Sequence, residues 1–118
     1  MAALFDLEIL SASDTEVRAR VPVRDNLRQP LGLVHGGAFA AIADTLTVEA
    51  TAHALPTGSA RAISNQTSFL RPITEGSIDA VATRRHRGRT TWVWEVEMCD
   101  DQGHLCVLSR VTIAVRER

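Results

Sequence analysis

The chain contains no lysine; all 13 of its basic residues are arginine. No ε-amine is therefore available to form a Schiff base with a carbonyl substrate, which removes one class of covalent catalysis. Neither sign of charge is in excess. The formal net charge is −1, so nothing in the bulk composition suits a nucleic-acid backbone or an anionic membrane surface. Cysteine is scarce. Cys99 and Cys106 stand either side of a turn at Asp100 to Gly103. A cross-strand disulfide is conceivable, but Met1 to Asp6 carry neither a positive n-region nor an apolar h-region. The expectation is two free, half-buried thiols in a cytoplasmic protein. Catalytic signatures are missing too: there is no G-x-S-x-G elbow, P-loop, H-E-x-x-H or C-x-x-C. The histidines at 35, 53, 86 and 104 show no ligand spacing with the cysteines, so no metal is expected.

What is there has the balance of a soluble globular chain, 45% hydrophobic and 23% charged. No repeat, low-complexity tract or linker divides it, and residues 1–118 read as one domain. At this size the surface-to-volume ratio favours further burial by self-association.

Leu4 to Ser11 reads as a short strand. Glu16 to Pro22 is a half-buried one, with Val17, Ala19 and Val21 opposite Arg18 and Arg20, and Asp14-Thr15 turns between them. Arg24 to Gly32 is a loop. From Gly36 to about Leu55 the sequence is alanine-rich and free of internal proline, and Pro56 and Gly58 end it. That predicts a helix of roughly five turns, apolar nearly all round and hence buried. Asp44, Glu49 and His53 argue against its being a membrane span. Four further strands are predicted: Ala60 to Leu70, Ser77 to His86, Thr90 to Met98 and His104 to Val115. Trp92 and Trp94 fall on the apolar face of the third, as core or dimer-face residues. Their connections, at Thr74-Glu75-Gly76, Arg87-Gly88-Arg89 and Asp101-Gln102-Gly103, each suit a hairpin loop, so the four strands should pair antiparallel. The result is an α+β layer in which a curved antiparallel sheet of five to six strands wraps one long central helix.

Two features could carry chemistry. His35-Gly36-Gly37 opens the helix, where unpaired N–H groups and the positive dipole end suit an oxyanion. Alone, a Gly-Gly before a helix is also simply a turn. Asp44 lies in the most apolar stretch, where a carboxylate needs a partner, an exposed stripe or a function. Gly36 and Asp44 are eight residues apart, about 12 Å along a helix, whereas hydrogen bonds reach about 3 Å. If both act on one carbonyl, they must come from two copies of the chain.

The run from Asn26 through Gln29, Gly32 and His35-Gly36-Gly37 to Asp44 resembles the signature of PaaI-like hotdog thioesterases. So do Phe69-Leu70-Arg71-Pro72, Glu75-Gly76, Arg87-Gly88-Arg89 and the stretch from Asp101 to Val107, and the likeness covers nearly the whole chain. The resemblance implies a hotdog fold and hydrolysis of an acyl-CoA thioester to acid and CoA, without metal or prosthetic group. It also implies a homodimer or homotetramer with its site between subunits. By the same resemblance the Gly36 N–H polarises the thioester carbonyl, and Asp44 of the other subunit is nucleophile or general base. Gln29 and His35 help to hold the thioester or the attacking water. Asn26, Gly37, Val48 and Phe69 contact substrate, and Arg71 and the Arg87-Gly88-Arg89 turn match regions that contact the CoA phosphates and pantetheine. A solvated hairpin is the plain alternative for the arginine-rich turn Arg84 to Arg89.

Three positions depart from the branch that acts on aromatic and menaquinone-pathway acyl-CoAs. That branch has Glu at Asp44, Ser or Thr at Val48, and His at Phe69. Thr47 and Glu49 stand beside the missing hydroxyl. The changes imply a more apolar acyl pocket, suited to aryl or medium-chain groups without a charged head. The rival functions are a non-catalytic acyl-CoA-binding module and dehydration of a hydroxyacyl thioester; the latter would ordinarily show a catalytic His differently placed.

Overall fold

The strand periodicities hold. In the structure, a computed structural model describing residues 5–117, two strands precede one helix and four strands follow it. These are β1 (Glu8–Ala12), β2 (Glu16–Pro22), α1 (Gly36–Ala54), β3 (Ser59–Phe69), β4 (Ser77–Arg87), β5 (Thr91–Cys99) and β6 (Leu105–Arg116). All pairings are antiparallel, in one six-stranded sheet of order β1-β2-β4-β5-β6-β3. The alternation read from the sequence sets the face. Val17, Ala19 and Val21 of β2, Ile78, Ala80 and Ala82 of β4, and Trp92, Trp94, Val96 and Met98 of β5 all turn inward and are buried.

Three expectations need correction. Thr74-Glu75-Gly76 is not a hairpin loop: β3 pairs with β6 at one edge of the sheet, and this segment belongs to the crossover that carries the chain to β4, beside β2. Turn chemistry marks where a strand ends, not which neighbour the next one joins. The first strand starts later than expected. Leu4 lies outside the described residues, Phe5 is buried, and Asp6 has a φ of 53°, so the extended run begins only at Glu8. Finally, the sheet does not cover α1 all round. Phe39, Ile42, Ala43 and Leu46 are buried, but Gly37, Glu49, Ala52, His53 and Ala54 are exposed. Alanine tolerates either environment, so an alanine-rich pattern does not define a buried face.

Cys99 is half-buried and Cys106 buried, both as free thiols. Trp92 and Trp94 are core residues, and His53, His86 and His104 lie at the surface, as expected.

The helix leans over β3 and β6, and a buried polar thread ties it to the sheet. Trp94 Nε1 donates to Thr51 Oγ1 at 2.9 Å. Thr51 donates in turn to the Thr47 carbonyl, and Thr47 to the Ala43 carbonyl, each at 2.8 Å. Both threonines are fully buried. Thr51→Val keeps the shape but strands the indole N–H, a loss of about 1–3 kcal/mol. Thermal or urea unfolding should show it as a lowered midpoint with an unchanged m-value.

Candidate active site

The loop before α1 folds back on itself. A 3-10 turn spans Asp25–Leu27. Arg28 then bridges Val34, while the Gln29 N–H donates to the Leu33 carbonyl at 2.7 Å and the Gly32 N–H to the Gln29 carbonyl at 2.8 Å. Gly32, at φ 91°, makes the reversal. Buried Leu27, Val34 and Ile73 anchor it, with the Val34 N–H on the Ile73 carbonyl and the His35 N–H on the Leu27 carbonyl. The small hairpin thus delivers Gln29 and the His35-Gly36 step to one place.

His35 is the residue before the helix, at φ −60° and ψ 136°, and its side chain makes no capping bond. The Gly36 N–H has no acceptor among the described residues, as expected for the first helical position. Glycine here permits close approach. A Cβ on Gly36 would sit 3.0 Å from Cζ of Phe69, whose ring is tilted against Phe39 at 6.3 Å between centroids. Around this point opens a cavity of about 370 Å³, lined by Gln29, Leu33, Val34, Gly36, Phe39 and the run Phe69 to Pro72. Arg71 reaches it because its N–H, with that of Leu70, bonds the Cys106 carbonyl just past the end of β3.

Four of the residues singled out from the sequence, Gln29, Gly36, Phe69 and Arg71, therefore share one cavity. Asp44 does not line it. The carboxylate is half-buried, two turns further along α1, and no side chain among the described residues bonds to it. Val48 is half-buried one turn beyond. Thr47 is buried with its hydroxyl on the Ala43 carbonyl, and Glu49 lines a different cavity. Asn26 lies in the 3-10 turn, and His35 and Gly37 are exposed at the helix start.

Arg87, Gly88 and Arg89 lie at the other end of the sheet. The Thr90 carbonyl accepts from Val115, near the start of β3, whereas Phe69 at its end pairs with Val107. Within one chain the arginine turn and the Gly36 cavity are separated by the length of the strands. The flanking cavity residues Leu33, Val34, Phe39, Leu70 and Pro72 lie in runs that carry the resemblance but were assigned no role from the sequence. Nor was Asn65, which crosses from β3 to donate to the Ala40 carbonyl of α1 at 2.9 Å. These contacts are non-local and leave no mark in sequence spacing.

Among the described residues, no group of three or more His, Cys, Asp or Glu could hold a metal. Burial pushes both thiols up from their ordinary pKa, which makes them poor nucleophiles at neutral pH. No helix among the described residues is long and apolar enough to cross a membrane.

This architecture is that of a hotdog-fold thioesterase. The model of the thioesterase superfamily matches residues 31–107, and the chain belongs to that family. It is similar to the proofreading thioesterase EntH of Cronobacter turicensis, 34% identical over 112 residues, 92% of this chain and 80% of that one. It is also similar to the 1,4-dihydroxy-2-naphthoyl-CoA hydrolase of Escherichia coli, 29% identical over 117 residues, 98% of this chain and 85% of the relative. Among solved structures, a thioesterase from Haemophilus influenzae superposes with a TM-score of 0.92 at 28% identity, covering 98% of this chain and 82% of the other. The E. coli PaaI protein of the phenylacetic acid degradation operon gives 0.86 at 25% identity, covering 96% and 81%. The chain is thus a PaaI-like thioester hydrolase.

Proposed function

We propose that the chain hydrolyses an acyl-CoA to the free acid and CoA at a site assembled from two copies. One observation carries the reading. An N–H without an acceptor, at Gly36, and a carboxylate without a partner, at Asp44, lie on one helix too far apart to meet a single carbonyl. That helix leans over β3, an edge strand of 11 residues with no neighbour on its outer side among the described residues. Ile63, Phe69 and Leu70 are exposed along or just beyond it, and an uncovered edge of this length invites pairing. Antiparallel pairing of two β3 strands would set the beginning of one beside the end of the other. It would bring Asp44 of the partner subunit toward Gly36, and the partner's Arg87 to Arg89 turn toward the mouth of the cavity. Two such dimers form the proposed tetramer.

The chemistry follows from what each group offers. The Gly36 N–H, reinforced by the helix dipole, donates to the thioester oxygen and stabilises the negative charge that develops on it. Asp44 of the partner subunit either takes a proton from a water that attacks the carbonyl carbon, or attacks that carbon itself; the C–S bond breaks and CoA leaves as thiolate, and in the second case water then hydrolyses the resulting mixed anhydride to the free acid and restores Asp44. Gln29 and His35 hold the thioester or the water, while Asn26, Gly37, Val48, Phe69 and Arg71 contact the acyl and pantetheine portions. Arginines suit the CoA phosphates. No metal or prosthetic group is needed. The apolar residues Val48 and Phe69 favour aryl or medium-chain acyl groups without a charged head, and the free thiols suit a reducing cytoplasm.

Thiol release from a panel of aromatic and aliphatic acyl-CoAs tests this reading. Turnover is expected, best with uncharged aryl or medium-chain groups. Tight binding of CoA esters without release of thiol would instead make the chain a binding module.

A further inference from the structure

A second, larger cavity of about 660 Å³ opens on the other side of α1, within the range of small-molecule sites. It lies between the C-terminal half of the helix and the β1-β2 end of the sheet. Val17, Leu46, Trp92 and Trp94 give it an apolar wall. Leu46 and His53 project from roughly the opposite face of the helix to Asp44, and they stand about 15–25 Å from Gly36 along its axis. The site is also at the end of the sheet away from β3. It is therefore separate from the thioester cavity, and the inference does not depend on the reading given above.

One side chain in it is poorly satisfied. Arg84 lines the cavity with only 10% of its side chain exposed. Its Nη1 is buried and has no hydrogen-bond partner among the described residues. The guanidinium rests over the Trp92 ring at 5.0 Å, and its counter-ion is Asp14, at a long 3.4 Å from Nη2. Asp14 is itself 76% exposed, so it is an easily displaced partner. A buried guanidinium held this loosely has hydrogen-bonding capacity left over.

We infer that this cavity binds a small monocarboxylate with an aliphatic or aryl body, its carboxylate displacing Asp14 from Arg84 and its body lying against Trp92 and Trp94. Glu49, exposed at the mouth, repels a second anionic group and so disfavours dicarboxylates. An acid of this class is also what thioester hydrolysis releases, so the product itself is a candidate occupant.

The test is intrinsic fluorescence of the whole protein. The chain has only 2 tryptophans, and both line the cavity. Titration with octanoate and with 3-phenylpropionate is expected to give a saturable change, with octanol and octylamine giving none. Arg84→Met should weaken binding about tenfold or more, the usual value of a charge-assisted hydrogen bond. Asp14→Ala should tighten it, because a competing carboxylate is removed; a melting curve of the variant shows that it is folded, since Asp14 also faces Arg87 at 3.9 Å. Asp44→Ala should leave it unchanged, since that carboxylate is on the other face. The proposal is overturned by a flat titration at millimolar acid, by equal binding of octylamine, or by Asp14→Ala weakening the interaction.

Discussion

Asp44→Ala is expected to lower kcat for acyl-CoA hydrolysis by roughly 10²–10⁴-fold, the usual contribution of a positioned acid–base group, or more where the carboxylate is the nucleophile. The protein should remain folded and associated. The carboxylate has no hydrogen-bond partner among the described residues and sits mid-helix in an alanine-rich run. Removing it breaks no hydrogen bond or ion pair among the described residues, and alanine is the better helix former. Thermal unfolding should therefore be unchanged or slightly higher. That separates a catalytic carboxylate from a structural one, whose loss would lower stability. Thiol release per folded subunit, measured beside a melting curve, checks both halves. Turnover surviving in Asp44→Ala would mean that another group activates water.

Gly36→Pro should be nearly as damaging, for a different reason. Proline is well tolerated at the first position of a helix, where its missing N–H has no intrahelical acceptor anyway. The preceding residue must be extended, and His35 already is, at φ −60° and ψ 136°. The substitution thus deletes one N–H from a compatible backbone. Losing a single oxyanion donor costs roughly 10²–10³-fold in kcat. Gly36→Ala is the control. It keeps the N–H and asks only that the half-exposed Phe69 ring shift by a few tenths of an ångström from its 3.0 Å contact. A large loss in the proline variant with a small one in the alanine variant assigns the effect to the N–H. Equal losses would assign it to crowding of the cavity.

How far the sequence could be read depended on the kind of signal. Period-two alternation placed the buried faces of β2, β4 and β5, because a strand's side-chain period is fixed by its geometry. Proline and glycine at 56 and 58 marked the end of α1. The neighbour relations of the strands were not legible. Nothing local in Thr74-Glu75-Gly76 distinguishes a hairpin from a crossover, and β3 lies at an edge because of where β6 goes. The helix N-terminus was legible as a candidate site because His35-Gly36-Gly37 is contiguous. Its cavity was legible only in part, since Leu33, Phe39 and Pro72 come from three segments and carry no chemical mark. Asp44 was conspicuous for its apolar surroundings, yet α1 has an open flank. The anomaly that drew attention to it is milder in the single chain than the sequence suggested. Arg84 shows the converse. It was one arginine in a charged hairpin by sequence, and only the fold makes it a buried guanidinium against Trp92.

In the proposed dimer, Gly36 of one subunit and Asp44 of another act on the same carbonyl. Coexpressing the Gly36→Pro and Asp44→Ala chains tests it most directly. Each alone should be almost inactive. A mixed dimer places both lesions in one site and leaves the other intact, so random pairing should restore about a quarter of the wild-type sites. Thiol release from the coexpressed pair, normalised to protein, should therefore rise far above either parent. Activity no greater than the sum of the two would contradict the shared site.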